Sequence, residues 1–205
     1  MFPFALLIKI FMAETFIHHT AVIDTGASIG EGTHIWHFSH VMPNAVIGNR
    51  CNIGQNVYVD NNVTIGDGVK IQNNVSIYNG VNVEENVFIG PSAVFTNVIN
   101  PRSFVERKNE FKKTTVKKGA SIGANATIVC GHDIGEYAFI GAGSVVTKDV
   151  PAYALIVGNP GKQIGWMSKY GMKLNFNEED IAICEQSGQQ YKKHNNCVFA
   201  IKYME

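Results

Sequence analysis

Large apolar residues recur every six positions along most of the chain. The series runs Ile17, Ile23, Ile29, Ile35, Val41, Ile47, Ile53, Val59, Ile65, Ile71, Ile77, Val83, Ile89 and Phe95. It resumes at Val116, Ile122, Ile128, Ile134, Ile140 and Val146. Four residues after each one the side chain is usually small or β-branched, as at Ala45, Cys51, Val57, Ala120 and Ser144. A period of six is neither the 3.6 of a helix nor the simple alternation of a strand. It predicts a short strand, a tight turn and a repeat. Three units close a triangular coil, and the next coil stacks at about the 4.8 Å strand spacing. The aliphatic residue then points into the prism, and the residue four later must be slim because it also faces inward near a corner. Gly and Asn fill the intervening positions because they tolerate positive φ. Three units per coil give between six and seven coils, each burying its aliphatics only against its neighbours.

Two stretches leave this pattern. The beat fails in FTNVINPRSFVERKNEFKKTT, between Phe95 and Val116. A long excursion from a strict repeat is disproportionately functional. It concentrates Arg102, Glu106, Arg107, Lys108, Glu110, Lys112 and Lys113 in a chain with only 17% charged residues. After Val150-Pro151 the repeat is expected to end. IGWMSKYG then reads as a short helix or a packed cap, and the tail from about residue 174 as a small appendage. The expected layout is an N-terminal extension over 1–16, the coil over 17–151 with its loop at 97–115, and a C-terminal cap and tail over 152–205.

Composition narrows the partners. Seventeen basic and seventeen acidic residues give zero formal net charge, so no nucleic-acid or polyanion partner is indicated. Cys51, Cys130, Cys184 and Cys197 form no CxxC pair and fit buried thiols in a reducing compartment, so the expected location is cytoplasmic. Cys184 and Cys197 offer a weak disulfide or zinc alternative. MFPFALLIKIF is too short to cross a bilayer and lacks a basic leader, so neither a membrane span nor a signal peptide is expected.

Nine ordered segments carry a family likeness: GTHIWHFSHV, IGQNVYV, VKIQNNVSIY, GPSAVFTNVINPR, ERKNEF, GASIGANATIVCG, IGEYAFIGAGSVVTKDVP, ALIVGNP and QIGWMSKYG. From about His18 to Leu174 they resemble the bacterial sugar-nucleotide 3-N-acetyltransferases of the transferase hexapeptide class. A loose echo persists at Cys184–Tyr191. The resemblance is greatest to enzymes acting on UDP-2-acetamido-3-amino-2,3-dideoxyglucuronate for surface polysaccharides, with a dTDP-3-amino-3,6-dideoxyhexose as the alternative acceptor. It implies an all-β, left-handed parallel β-helix, a handedness opposite to the usual crossover rule. It also implies a homotrimer with active sites between subunits, acetyl-CoA as co-substrate and no metal.

The same resemblance places the chemistry. Acetyl transfer to an amine needs a neutral nucleophile held beside the thioester and donors for the oxyanion. Asn97 matches the residue whose side-chain oxygen receives the amine's hydrogen bond. Arg107 and Lys108 suit a pyrophosphate or uronate carboxylate. Gln72, Asn73, Asn74 and His37 are candidates for sugar contacts, with turn roles competing for the asparagines. Gly123, Gly141, Ala142, Gly143, Lys148, Asn159 and Pro160 are expected to line the coenzyme groove. His34, His37 and His40 form HxxHxxH, yet six-residue spacing sends His34 and His40 to different faces, so metal ligation within one chain is not expected. His132 takes the slim inward position of its hexad and reads as a buried imidazole, with general base as its second reading. A γ-class carbonic anhydrase and a non-catalytic scaffold are the alternatives from other classes.

Overall fold

The computed structural model describes residues 14–201. The proposed extension at residues 1–11 lies outside them, but Thr15 and Phe16 already belong to the first coil. Phe16 pairs with His34, and the Thr15 hydroxyl lies 3.3 Å from the Gly30 carbonyl.

The six-residue beat builds a parallel β-solenoid of the left-handed β-helix class, with no α-helix among the described residues. Its first face stacks Phe16–Ile17, His34–Ile35, Asn52–Ile53, Lys70–Ile71, Phe88–Ile89, Ser121–Ile122, Phe139–Ile140 and Ala154–Val157. The second face stacks seven strands, Val22–Ile23, His40–Val41, Tyr58–Val59, Ser76–Ile77, Val94–Phe95, Thr127–Ile128 and Val145–Val146. The third stacks Ser28–Ile29, Val46–Ile47, Thr64–Ile65, Val81–Val83 and Thr114–Val116, then continues through single bridges at Ile134 and Val150. Eight rungs on the first face exceed the six to seven coils expected, because Val150 and Ile156 continue the stack past the last regular hexad.

Every register pair joins residues eighteen apart until the loop intervenes, so the interior is three columns of like residues. Ile35, Ile53, Ile71, Ile89, Ile122 and Ile140 are fully buried. Burying each such side chain contributes about 1.5–3 kcal/mol. The slim position also accepts hydroxyls. Thr33 and Ser39 are buried yet donate to the Gly48 and Gly54 carbonyls at 2.7 and 2.8 Å, which removes the cost of burying them.

At most corners the third residue adopts positive φ, and not only where it is Gly or Asn. Phe38 (57°) and Ser92 (57°) do so on the edge between faces one and two. The repeated corner contacts and the buried column on either side hold these residues in a conformation that is costly for non-glycine residues.

Past residue 151 the chain differs from the expected layout. Ala154–Val157 adds a parallel rung to face one, and Lys162–Trp166 folds back on it antiparallel, so IGWMSKYG is a strand and turn rather than a helix. The tail is a three-stranded antiparallel sheet of Ile181–Ile183, Gln190–His194 and Cys197–Ala200. It packs on the prism through Tyr191, fully buried, whose hydroxyl accepts from the Lys169 amide at 3.0 Å. All four cysteines are free thiols. Cys184 leads out of one end of this sheet and Cys197 opens the strand at its opposite end.

Candidate active site

The eighteen-residue register turns scattered sequence positions into lines along the prism's edges. On the first edge, between faces one and two, the carbonyls of His37, Gln55, Asn73, Pro91 and Ala124 accept in turn from the amides of Asn56, Asn74, Ser92, Asn125 and Gly143, at 2.8 to 3.0 Å. This ladder aligns most of the expected binding residues. His37, Gln72, Asn73 and Asn74 occupy the lower rungs, and Gly123, Gly141, Ala142 and Gly143 the upper ones. Asn159 and Pro160 lie in the exposed turn that follows Val157 at the top of the same edge.

His37, Gln72 and Asn73 line one cavity of 210 Å³ with Trp36, Asn52, Gly54 and Gln55. Their amides are not all free for a ligand. The Asn73 side-chain oxygen accepts from the Gln55 amide at 2.9 Å, and that of Asn74 from Asn56 Nδ2 at 3.0 Å. The turn role foreseen for these asparagines is therefore satisfied within the protein. His37 stacks on His18, with ring centroids 3.6 Å apart. Burial, then the His37 and His19 rings, holds the His18 imidazole below its usual pKa. The upper rungs approach so closely that a Cβ on Gly123 would lie 2.5 Å from the Ala142 nitrogen.

Asn97 is elsewhere. It stands on the second edge, between faces two and three, where the excursion leaves the prism. The loop closes on itself there, because the Lys112 amide donates to the Asn97 carbonyl at 2.9 Å. Lys148, expected with the glycines, is also on this edge, two rungs higher. It lines a 180 Å³ cavity with Thr147, Asp149 and Gln163. Face two thus separates Asn97 and Lys148 from the first-edge residues of the same chain.

His132 also corrects the sequence reading. Cys130 turns inward instead and is 1% exposed, its amide donating to the Thr96 hydroxyl at 3.0 Å. With the corner filled, His132 sits half-buried on the second edge, Nδ1 3.6 Å from Asp149 Oδ1. The two loop cations are engaged locally. Arg107 Nη1 donates to both Glu110 carboxylate oxygens at 2.8 and 2.9 Å, and Lys108 lies exposed 3.6 Å from Glu106. Nε of Arg107 is buried without a partner. The loop also presents Phe104, 84% exposed, and Ile99, 57% exposed.

One cluster was seen in the sequence only through His40, as a member of HxxHxxH. Below Asn97, on face two and its second edge, the His40 Nε2 lies 2.9 Å from Asp24 Oδ2 and its ring meets Tyr58 edge-on at 5.9 Å. The Tyr58 hydroxyl donates to Asp60 at 3.1 Å, and Tyr78 lies 6.0 Å from the Tyr58 ring. Burial, then the Asp60 carboxylate, pushes the Tyr58 hydroxyl above its ordinary pKa and keeps it a donor. His40 and Tyr58 are eighteen apart, as are Asp60, Tyr78 and Thr96. Reading the chain in eighteens rather than sixes brings these residues together.

No group of three or more His, Cys, Asp or Glu able to hold a metal occurs among the described residues. Nor, among them, is any helix long and apolar enough to cross a membrane.

Two family profiles match the chain. The bacterial transferase hexapeptide (six repeats) matches residues 26–61 and 62–97, and the hexapeptide repeat of succinyl-transferase matches 44–79 and 114–148. The dTDP-3-amino-3,6-dideoxy-α-D-galactopyranose 3-N-acetyltransferase of Aneurinibacillus thermoaerophilus is 52% identical over 177 residues, covering 86% of this chain and 90% of that enzyme. This likeness outweighs the one to uronate-acetylating enzymes. Among solved structures, a point mutant of GDP-perosamine N-acetyltransferase from Caulobacter crescentus, bound to CoA and GDP-perosamine, superimposes with a TM-score of 0.53 at 22% identity over 76% of this chain. The acetyltransferase domain of PglB from Neisseria gonorrhoeae, bound to acetyl coenzyme A, gives 0.51 at 21% identity over 75%. This chain spans 58% and 59% of those two chains, and at such identities the likeness is one of fold.

Proposed function

The chain belongs to the bacterial hexapeptide transferase family, and on that premise we propose that it transfers the acetyl group of acetyl-CoA to the 3-amino group of a dTDP-linked 3-amino-3,6-dideoxyhexose. The observation that carries this reading is the 52% identity to an enzyme of that acceptor class, sustained over nine tenths of its length. The UDP-uronate acceptor is the weaker choice, since Arg107, its expected carboxylate partner, is already held by Glu110.

The reaction joins the sugar nitrogen to the acetyl carbonyl carbon and breaks the thioester carbon–sulfur bond. Asn97 accepts a hydrogen bond from the amine and aims its lone pair at the thioester. An amide is too weak a base to keep the proton, so the proton passes from the tetrahedral intermediate to the departing thiolate. His132, held towards Asp149 on the same edge, is the second candidate acceptor for that proton. Glycine-bearing corners on the first edge bring backbone amides close to the coenzyme, whose pantetheine runs along the rungs from Gly123 to Gly143.

Two separated edges call for a second copy. In a homotrimer the second edge of one protomer faces the first edge of its neighbour, which unites Asn97 with the coenzyme groove. The exposed Phe104 and Ile99 support this arrangement, because the loop that starts at Asn97 carries an apolar surface outward. Product for surface polysaccharide is the role this acceptor implies.

Thiol release from acetyl-CoA with dTDP- and UDP-3-amino sugars tests the reading. Turnover with the dTDP-3-amino-3,6-dideoxyhexose, and a fall of about 100-fold or more in kcat for Asn97→Ala, are expected. Equal kcat in the variant removes Asn97 from the chemistry, and His132→Asn then becomes the deciding variant. Stoichiometric zinc in the purified protein would favour the anhydrase alternative.

A further inference from the structure

We propose that Tyr78 and Tyr58, flanked by the Asp60 and Asp24 carboxylates, form the seat that admits a 6-deoxy amino-hexose and turns away a hexuronate. The inference rests on the acetyl-transfer reading above and names what selects its acceptor.

Position is the first support. Ser76 pairs with Val94, which sets Tyr78 one rung below Thr96 and the Asn97 corner. Tyr58 pairs with Ser76, two rungs below Val94. At about 4.8 Å per rung the aromatic wall starts about 5 Å from that corner and extends to about 10 Å, the span of a pyranose and its linkage. A sugar whose amine meets Asn97 therefore lies against these rings.

Surface chemistry is the second. Tyr78 is 37% exposed and Val94, on the same face one rung above Ser76, is 48% exposed. Aromatic faces stack on the apolar C–H face of a pyranose, and an exposed valine suits a C6 methyl. The Tyr58 ring is fixed for this contact by its bond to Asp60, itself held by the Asn61 amide at 2.8 Å and the Asn79 amide at 3.1 Å. Nothing in acetyl transfer at Asn97 requires this network otherwise.

Charge is the third. The wall carries two carboxylates, and the group on it that can become cationic, His40, is bonded to one of them. Lys112 emerges above, its stem against Gly131. The amino group of either sugar is drawn to this surface as an ammonium ion, which gives one proton to solvent before the neutral amine attacks. A carboxylate at C6 is repelled by the same surface, and such selection by an unfavourable element is a common route to specificity.

The test compares two ligands on the same nucleotide, a dTDP-3-amino-3,6-dideoxyhexose and the corresponding dTDP-3-amino-hexuronate. Calorimetric titration without acetyl-CoA reads the seat, and thiol release reads transfer. Tyr78→Ala is expected to weaken binding of the deoxyhexose about tenfold, as loss of an aromatic stack does, with the KM for acetyl-CoA and the oligomer size unchanged. Asp24→Asn with Asp60→Asn is expected to narrow the gap between the two sugars. Unchanged sugar affinity in Tyr78→Ala overturns the proposal, as does a variant that loses its oligomeric state or its acetyl-CoA affinity instead. Binding without any thiol release would overturn the transfer reading while supporting the seat.

Discussion

Two glycines on the first edge separate packing from coenzyme contact. At Gly123 an added Cβ would lie 2.5 Å from the Ala142 nitrogen and 2.8 Å from both the Ala142 Cα and the Gly141 carbonyl carbon. All three are backbone atoms, so the corner must move by about 1 Å to reach ordinary contact, at a cost of about 2–3 kcal/mol. At Gly143 an added Cβ meets nothing within 4 Å, but φ is 67°. Alanine there costs about 1–2 kcal/mol in strain and recovers up to about 1 kcal/mol by stiffening the unfolded chain. With a urea m-value of about 2–3 kcal/mol/M, Gly123→Ala lowers the midpoint by about 1 M and Gly143→Ala by less than about 0.5 M. Kinetics should reverse the order. The Gly143 methyl projects into the space assigned to the coenzyme and raises the KM for acetyl-CoA about tenfold, a loss of about 1.4 kcal/mol. Urea curves followed by tryptophan emission and steady-state thiol release measure the two effects. Equal midpoints for the two variants would refute the close approach of the corners, and an unmoved KM in Gly143→Ala would remove the coenzyme from this edge.

Three further outcomes follow from the core and the caps. Ile71→Ala, at a fully buried position mid-stack, is expected to cost about 3–4 kcal/mol against about 1 kcal/mol for Ile71→Val, read from urea midpoints. Cys197 is the exposed cysteine, so one thiol should titrate with Ellman's reagent in the folded protein and all four after unfolding. Burial, with Tyr191 and Tyr137 nearby, pushes the Tyr153 phenol up to about 12, so the fold favours its protonated form. That contribution is complete below the ordinary tyrosine value of about 10 and declines as pH rises through about 12. Urea midpoints between those limits should fall more steeply in the wild type than in Tyr153→Phe.

How much of this was legible in the sequence differs between core and edge. The isoleucine column was legible because every rung imposes the same demand on the same position, and twenty repetitions leave no other period. Even the slim position could be read, since Ala45, Cys51 and Thr33 share small volume, and the buried hydroxyl then finds a carbonyl one rung up. The turns were only half legible. Phe38 and Ser92 take a left-handed conformation that residue preference alone would assign to Gly or Asn. His132 followed the hexad by count, but Cys130 filled the corner first, and sequence spacing cannot decide which of two candidates points inward. The tail failed for another reason. Its three strands are set by packing Tyr191 against Tyr153 and Lys169, contacts far apart in sequence. At the site, residues of one edge looked unrelated because eighteen positions separate neighbours, and the tyrosine wall was overlooked for that reason.

The decisive measurement is a crystal structure of the protein with CoA and a dTDP-3-amino-3,6-dideoxyhexose bound together. The sugar nitrogen should lie within hydrogen-bond reach of the Asn97 side-chain oxygen, with the coenzyme sulfur beside it and the pyranose against Tyr78. A sugar bound on the third edge, near Glu136 and Tyr153, or a coenzyme sulfur remote from Asn97, would contradict acetyl transfer at the second edge.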